Sequence, residues 1–241
     1  MTPAQRQELE RARRAAREQE LAVATVEASR TLGRKVYGVV LADPAWRFEP
    51  YSRTTGMDRA ADNHYPTMPL EAIKALPIPA AADSVLFLWA TPAMLPQALE
   101  VMAAWGFAYK SQFVWVKDKL GLGYWARNKH ELLLIGTRGR IPAPAPGTQF
   151  SSVIEAPRGR HSEKPAIVRE MIAAMFPNVP KLEMFARGEC VAGFDVWGNE
   201  AVPPPEAAPH TIKQSSRQIS FGEIFANFAA AQLRFRNPHE R

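Results

Sequence analysis

A single cysteine, Cys190, in 241 residues leaves no partner for an internal disulfide and no thiolate set for a zinc cage. A reducing, cytoplasmic setting is the simplest expectation. No run of about 18 uninterrupted apolar residues occurs, which argues against a membrane-spanning helix. The charged N-terminus lacks the apolar core of a secretion signal. The five histidines are scattered without ligand spacing, so no metal site is expected. No internal repeat is visible.

What is present suits one α/β domain with short appendages. The apolar share of 46% is ordinary for a globular chain. The net charge of +6 points to an anionic partner or to solubility, and it sits on the tails. Residues 1–35 hold eight basic against five acidic residues, and residues 201–241 hold five against three.

The chain divides into three parts. Residues 1–35 have strong helix formers, mixed charges and a weak apolar stripe through Leu9 and Leu21, which predicts an exposed basic helical extension. From 36 to 200, apolar runs alternate with helical patterns. "VYGVVLA", "SVLFLWA", "AYKSQFVWV", "ELLLIGT" and "KLEMFA" read as strands. "PLEAIKAL", "PAMLPQALEVMAAWG" (closed by Gly106) and "PAIVREMIAAMF" (with Pro165 in its first turn) read as helices. Such alternation predicts a mostly parallel sheet covered on both faces, a three-layer α/β/α sandwich. Residues 43–66 read as a long polar loop and residues 138–160 as a mobile one. Residues 201–241 form a Pro-rich linker and a helix, in which Ser220 and Glu223 have capping-box spacing. Phe221, Ile224, Phe225 and Phe228 give that helix an apolar stripe, for self-packing or for a homodimer.

"VVLADPAW", residues 39–46, ends a buried strand on an acid, a proline and a tryptophan. Ligands of open α/β sheets bind beyond the carboxyl ends of strands, and Pro44 keeps Asp43 extended. A carboxylate, the Pro44 carbonyl and the plane of Trp46 suit a purine with an exocyclic amine. Asp43 and the Pro44 carbonyl would accept the two amino hydrogens while the ring stacks on Trp46. Drawing on those hydrogens frees a lone pair otherwise delocalised into the ring, and the amine can attack an activated methyl in line. In isolation, Asp-Pro-x-Trp fits a plain strand-ending turn better than a ligand site.

Further segments follow in order: "HYPTMPLEAIKALPI", "LFLWAT", "MAAWGFAYKSQFVWVK", "GLGYWARNKHELLLIGTRG", "RHSEKP", "LEMFAR" and "GFDVWGNE". Together, over roughly residues 36–200, they resemble the MT-A70-like family of N6-adenine methyltransferases, particularly its bacterial and phage members. The resemblance implies a Rossmann-like class I methyltransferase domain using S-adenosylmethionine, with permuted motif order: catalytic strand first, most of the cofactor unit last. The family has a second proline where Ala45 stands. The glycine-rich phosphate fingerprint is absent, in keeping with a cofactor that has no pyrophosphate.

By this resemblance Asp43, Pro44 and Trp46 are catalytic, and Asp43 also faces the cofactor. Lys164 would hold the cofactor's methionine carboxylate, with His161 and Ser162 shaping the turn before the helix. Arg187, Asn199 and Glu200, past strand ends, would contact ribose and adenine. Tyr65 and His64 lie in the loop that closes over the target base. Trp125, Arg127, Asn128 and Glu131 would line the acceptor side. The acceptor expected is DNA; the alternatives are an RNA adenosine-N6 methyltransferase and a catalytically silent nucleic-acid-binding partner of the same fold.

Overall fold

The computed structural model describes residues 35–46, 67–121, 125–159, 162–189, 193–198 and 200–202, with Gly123 and scattered residues before 24. Of residues 187–189 and 200–202 it describes the backbone. Tyr65, His64, His161, Asn199 and the C-terminal stripe lie outside the described residues.

Near the N-terminus, Thr2 and Gln5 cap each other. The Thr2 N–H donates to Gln5 Oε1 at 2.8 Å, and the Gln5 N–H to Thr2 Oγ1 at 3.2 Å, a reciprocal capping box. Leu9 and Val23 are exposed.

The apolar runs become strands β1 (Tyr37–Ala42), β2 (Ala80–Ala90), β3 (Ala108–Val116), β4 (His130–Arg138), β5 (Val153–Glu155), β6 (Lys181–Met184) and β8 (Phe194–Trp197). They form one sheet in the order β5-β3-β4-β2-β1-β6-β8. A separate parallel pair joins β7 (Arg187–Glu189) to β9 (Glu200–Val202). β1 pairs in parallel with β2 and β6, β3 with β5, and β6 with β8. β4 runs antiparallel to both β2 and β3, in keeping with a short connection 117–129 whose described residues hold no helix to carry the chain back across the sheet.

Period-two alternation sorts the side chains onto two faces. Val40, Ala42, Leu86, Leu88, Leu132, Leu134 and Leu182 share a core with Ile73 of α1 (Leu70–Lys74) and with Ala98, Val101 and Met102 of α2 (Leu95–Ala104). Val39, Leu41, Val85, Phe87, Trp89, Phe113, Trp115 and Leu133 pack with Val168, Met171 and Ile172 of α3 (Ile167–Met175). Two cores on opposite faces make the three layers. Each fully buried aliphatic or aromatic side chain contributes about 1.5–3 kcal/mol.

Gly106 ends α2 as its sequence position predicts. It adopts φ +80, its N–H donates to the Ala103 carbonyl, and that of Phe107 to Met102. This is the Schellman arrangement, which a residue without a Cβ enters at least cost.

The expectation of one long loop over residues 138–160 is corrected. β5 lies inside it, and Phe150 and Ile154 are 7% and 1% exposed. Phe150, Ile154 and Ala156, with Ile141 packed against them, join the segment to the α3-side core.

Candidate active site

After β1 the chain runs outward to β2, while α3 returns it to β6 on the other flank of β1. The strand order therefore reverses beside β1, which opens a crevice at the carboxyl ends there. Asp43 follows Ala42 at that crevice, its N–H directed to the Met184 carbonyl of β6 at 3.4 Å. Alternation puts Asp43 on the α3 side, with Val39 and Leu41.

Lys164 precedes α3 and reaches the same point. Its ammonium donates to Asp43 Oδ2 at 2.8 Å, lies 3.4 Å from Glu131 Oε2, and sits 5.6 Å from the centroid of the Trp89 ring. Ser162, at φ 67, supplies the left-handed turn that brings Lys164 round. The Pro165 carbonyl accepts from the Val168 N–H, so the proline opens the turn entering α3.

Glu131 is bound on its other side by Lys117, whose ammonium donates to Oε1 at 2.5 Å. Burial alone would raise the Glu131 carboxyl, but the Lys164 and Lys117 charges outweigh it and hold the group below the ordinary carboxylate range. Lys117 also lies 4.8 Å from the Trp115 ring, and Trp115 meets Trp89 edge to face at 6.0 Å. Beside this line, Arg169 of α3 grips Glu183 of β6 through Nε and Nη2 at 2.7 and 2.6 Å. That bidentate hydrogen bond is the main reason the guanidinium is held even more firmly protonated, although burial opposes it.

The turn after β1 is a γ-turn, in which the Trp46 N–H donates to the Pro44 carbonyl at 2.8 Å. That carbonyl keeps a second lone pair. The Ala45 carbonyl accepts from Met68 at 2.9 Å. Trp46 departs from the expectation of an open stacking face. It is 7% exposed, packed in the core on the α1–α2 side, with its indole N–H donated to the Trp89 carbonyl. A large apolar ring two residues past a buried strand is drawn into the adjacent core.

The acceptor-side residues separate. Glu131 joins the lysine line, whereas Trp125 is fully exposed and Arg127 Nε donates to the Gly121 carbonyl at 2.8 Å. Asn128 accepts from the Gly121 N–H through its backbone carbonyl. Arg187 and Glu200 are backbone register partners in the β7–β9 pair, so both belong to strands rather than to loops. Phe185, between β6 and β7, adopts φ 62, and Gly198 lies where a Cβ would come 2.5 Å from the Ala186 carbonyl oxygen. Strained and close-approach backbone thus gathers beyond β6 and β8.

Sequence reasoning missed Trp89, Trp115, Lys117 and Arg169. The available signal was parity: positions 43, 89, 115, 117 and 131 share the face that α3 covers.

A sheet covered on both faces, with a lysine delivered from the crossover before β6 to an acid just past the first strand, is consistent with a Rossmann-like methyltransferase. The sequence profile of the MT-A70 family matches residues 37–200. The chain belongs to the MT-A70 family of methyltransferases. It is 35% identical over 186 residues to the type II methyltransferase M.MunI of Mycoplasma sp, covering 70% of this chain and 79% of that one. It is 29% identical over 175 residues to an N(6)-adenosine-methyltransferase MT-A70-like protein of Arabidopsis thaliana, spanning 68% of this chain and 24% of the plant protein. A probable counterpart from Oryza sativa subsp. japonica matches equally, over 23% of its length. Among the described residues no helix is long and apolar enough to cross a membrane, and no group of His, Cys, Asp and Glu is placed to hold a metal ion.

Proposed function

We propose that the protein is a cytoplasmic DNA adenine-N6 methyltransferase using S-adenosylmethionine, with Asp43, Pro44 and Trp46 as its catalytic turn. The observation that carries this reading is the Lys164–Asp43 pair, an ammonium and a carboxylate 2.8 Å apart at the switch point of the sheet. Such a pair fits the two ends of an amino-acid zwitterion: Lys164 takes the carboxylate of the cofactor's methionine end and Asp43 its ammonium. Arg187, Asn199 and Glu200, beyond β6 and β8, are the residues for its ribose and adenine. The cofactor supplies a methyl group on a sulfonium.

The chain's own residues prepare the acceptor. Asp43 and the free lone pair of the Pro44 carbonyl accept the two hydrogens of the adenine amine. Accepting them pulls the nitrogen toward tetrahedral geometry and raises electron density where the methyl arrives. Stacking of the base on Trp46 requires that ring to be uncovered, so target binding is accompanied by a local rearrangement around the turn. An adenine inside a duplex must also leave the stack. Tyr65, Trp125, Arg127 and Asn128 are the acceptor-side contacts, and the basic tails and residues 138–160 meet phosphates. DNA is favoured over RNA because the matched relative of comparable length is a type II methyltransferase.

The test is incubation of the purified protein with methyl-labelled S-adenosylmethionine and adenine-rich DNA or RNA, followed by mass spectrometry of the nucleosides. N6-methyladenine in DNA that disappears in Asp43→Ala is the expected result. The same mark only in RNA would transfer the assignment to RNA, and absence of cofactor binding would leave a silent nucleic-acid-binding protein.

A further inference from the structure

We infer that Lys117 is a positioning residue for Lys164, acting through Glu131: its charge sets how strongly Glu131 holds Lys164, and hence how readily Lys164 engages a cofactor carboxylate. This inference rests on the proposed use of S-adenosylmethionine.

Four charged groups stand in an alternating line. Asp43 contacts Lys164 at 2.8 Å, Lys164 faces Glu131 at 3.4 Å, and Glu131 contacts Lys117 at 2.5 Å. Lys164, Glu131 and Lys117 have side chains 14%, 14% and 17% exposed, so their attractions are screened less than those of surface pairs. The Glu131 carboxylate is shared unequally. One oxygen is in direct contact with Lys117, while the other stands back from Lys164.

That inequality is built into the sheet. Register pairs Trp115 with Glu131 and Val116 with His130, and the Lys117 N–H donates to the Lys129 carbonyl at 2.8 Å, which fixes where Lys117 starts. The ring of Trp115 lies under the Lys117 ammonium at 4.8 Å and that of Trp89 under Lys164 at 5.6 Å. The two indoles hold each other edge to face at an interplanar angle of 74°. The Trp115 indole N–H donates to the Ala156 carbonyl at 2.8 Å, at the start of the segment that leads to Lys164. Both lysines therefore rest on one rigid aromatic support, where a cation gains from the ring quadrupole.

Lys117 touches neither Asp43 nor the crevice in these contacts, so its effect passes through Glu131. With Lys117 neutralised, the full carboxylate charge falls on Lys164. The ammonium is drawn toward Glu131, and a cofactor carboxylate must compete for it. A lysine that only stabilised the hairpin would behave differently, because Lys117→Met would then lower the melting temperature and leave the affinity of the folded chain for the cofactor unchanged.

The test is isothermal titration of the full chain with S-adenosylhomocysteine, with thermal melting beside it. Lys117→Met weakens binding about tenfold, and Lys117→Arg retains it. Adding Glu131→Gln to Lys117→Met restores binding to within about threefold of the wild type, since the competing charge is gone. Should Lys117→Met not fold, Glu131→Gln alone carries the test and binds no more weakly than the wild type. Unchanged binding by Lys117→Met, a double variant weaker than the single one, or a clear loss in Glu131→Gln overturns the inference. A wild-type chain that binds no S-adenosylhomocysteine removes the cofactor reading and the inference with it.

Discussion

Lys164 donates to Asp43 at 2.8 Å across 121 positions of sequence, joining the turn after the first strand to the turn before the last crossover helix. Each charge offsets the desolvation of the other in a part-buried site. Lys164→Met therefore leaves Asp43 under-compensated and removes the cation offered to a cofactor carboxylate. The expected result is a loss of S-adenosylmethionine affinity of about a hundredfold. Lys164→Arg retains the charge but not the compact ammonium, and gives an intermediate loss. Titration calorimetry reads both, and equal affinity for wild type and Lys164→Met would remove Lys164 from the cofactor site.

The γ-turn at Ala45 has room for the proline found in the family. Ala45 is not among the residues with positive φ, and among the described residues its N–H makes no backbone hydrogen bond outside the regular elements. An inverse γ-turn centres near the φ that proline imposes. Ala45→Pro is expected to keep methyl transfer and to stabilise the fold by about 0.4–1 kcal/mol through the unfolded chain. A lower melting temperature would show that the turn needs the Ala45 N–H or a different backbone angle.

Glu131 makes the fold acid-sensitive. Burial raises its carboxyl, the charges of Lys164 and Lys117 outweigh that, and the folded value lies below the ordinary 4.5. A depressed carboxylate contributes stability above its unfolded value, and that contribution disappears as pH falls through the lower folded value. Urea unfolding from about pH 7 down to about pH 3 should show a flatter profile for Glu131→Gln than for the wild type. Parallel profiles would contradict the ion pairing.

Arg169 and Glu183 tie α3 to β6 through two hydrogen bonds, their side chains 21% and 12% exposed. Removing one partner leaves the other charge largely buried, so Arg169→Ala is expected to cost about 3 kcal/mol. Arg169→Lys, which cannot form the fork, should cost less, about 1 kcal/mol. Urea denaturation midpoints decide, and a neutral Arg169→Ala would show that the pair is replaceable by solvent.

Trp125 is fully exposed in the connection 117–129, which leaves the sheet at the same end as Asp43. Trp125→Ala should not change stability. Loss of one stacking platform should weaken single-stranded nucleic-acid binding by about 1–3 kcal/mol. Fluorescence anisotropy with a labelled oligonucleotide measures this, and unchanged binding would place the acceptor path elsewhere.

Much of this was legible in the residues themselves. Val39 to Ala42 could only be a buried strand, Gly106 could only close a helix, and Asp43 followed a strand end by simple counting. The segment 138–160 misled because its prolines and arginines dominate composition, while a few scattered apolar residues, Ile141, Phe150, Ile154 and Ala156, meet the core. The burial of Trp46 was not legible, because the same apolar ring serves a core as readily as a ligand.

The sequence by itself determined the type of the longer elements and the family, since these depend on local pattern and on residue order. Tertiary structure alone decided which charges meet. Asp43, Lys117, Glu131 and Lys164 come from four separate stretches, and nothing local predicts that they will stand in one line. That follows from the register of β3 on β4 and from α3 returning the chain beside β1. Long-range pairing, which loop closure and burial select together, creates the site from residues that are unremarkable one at a time.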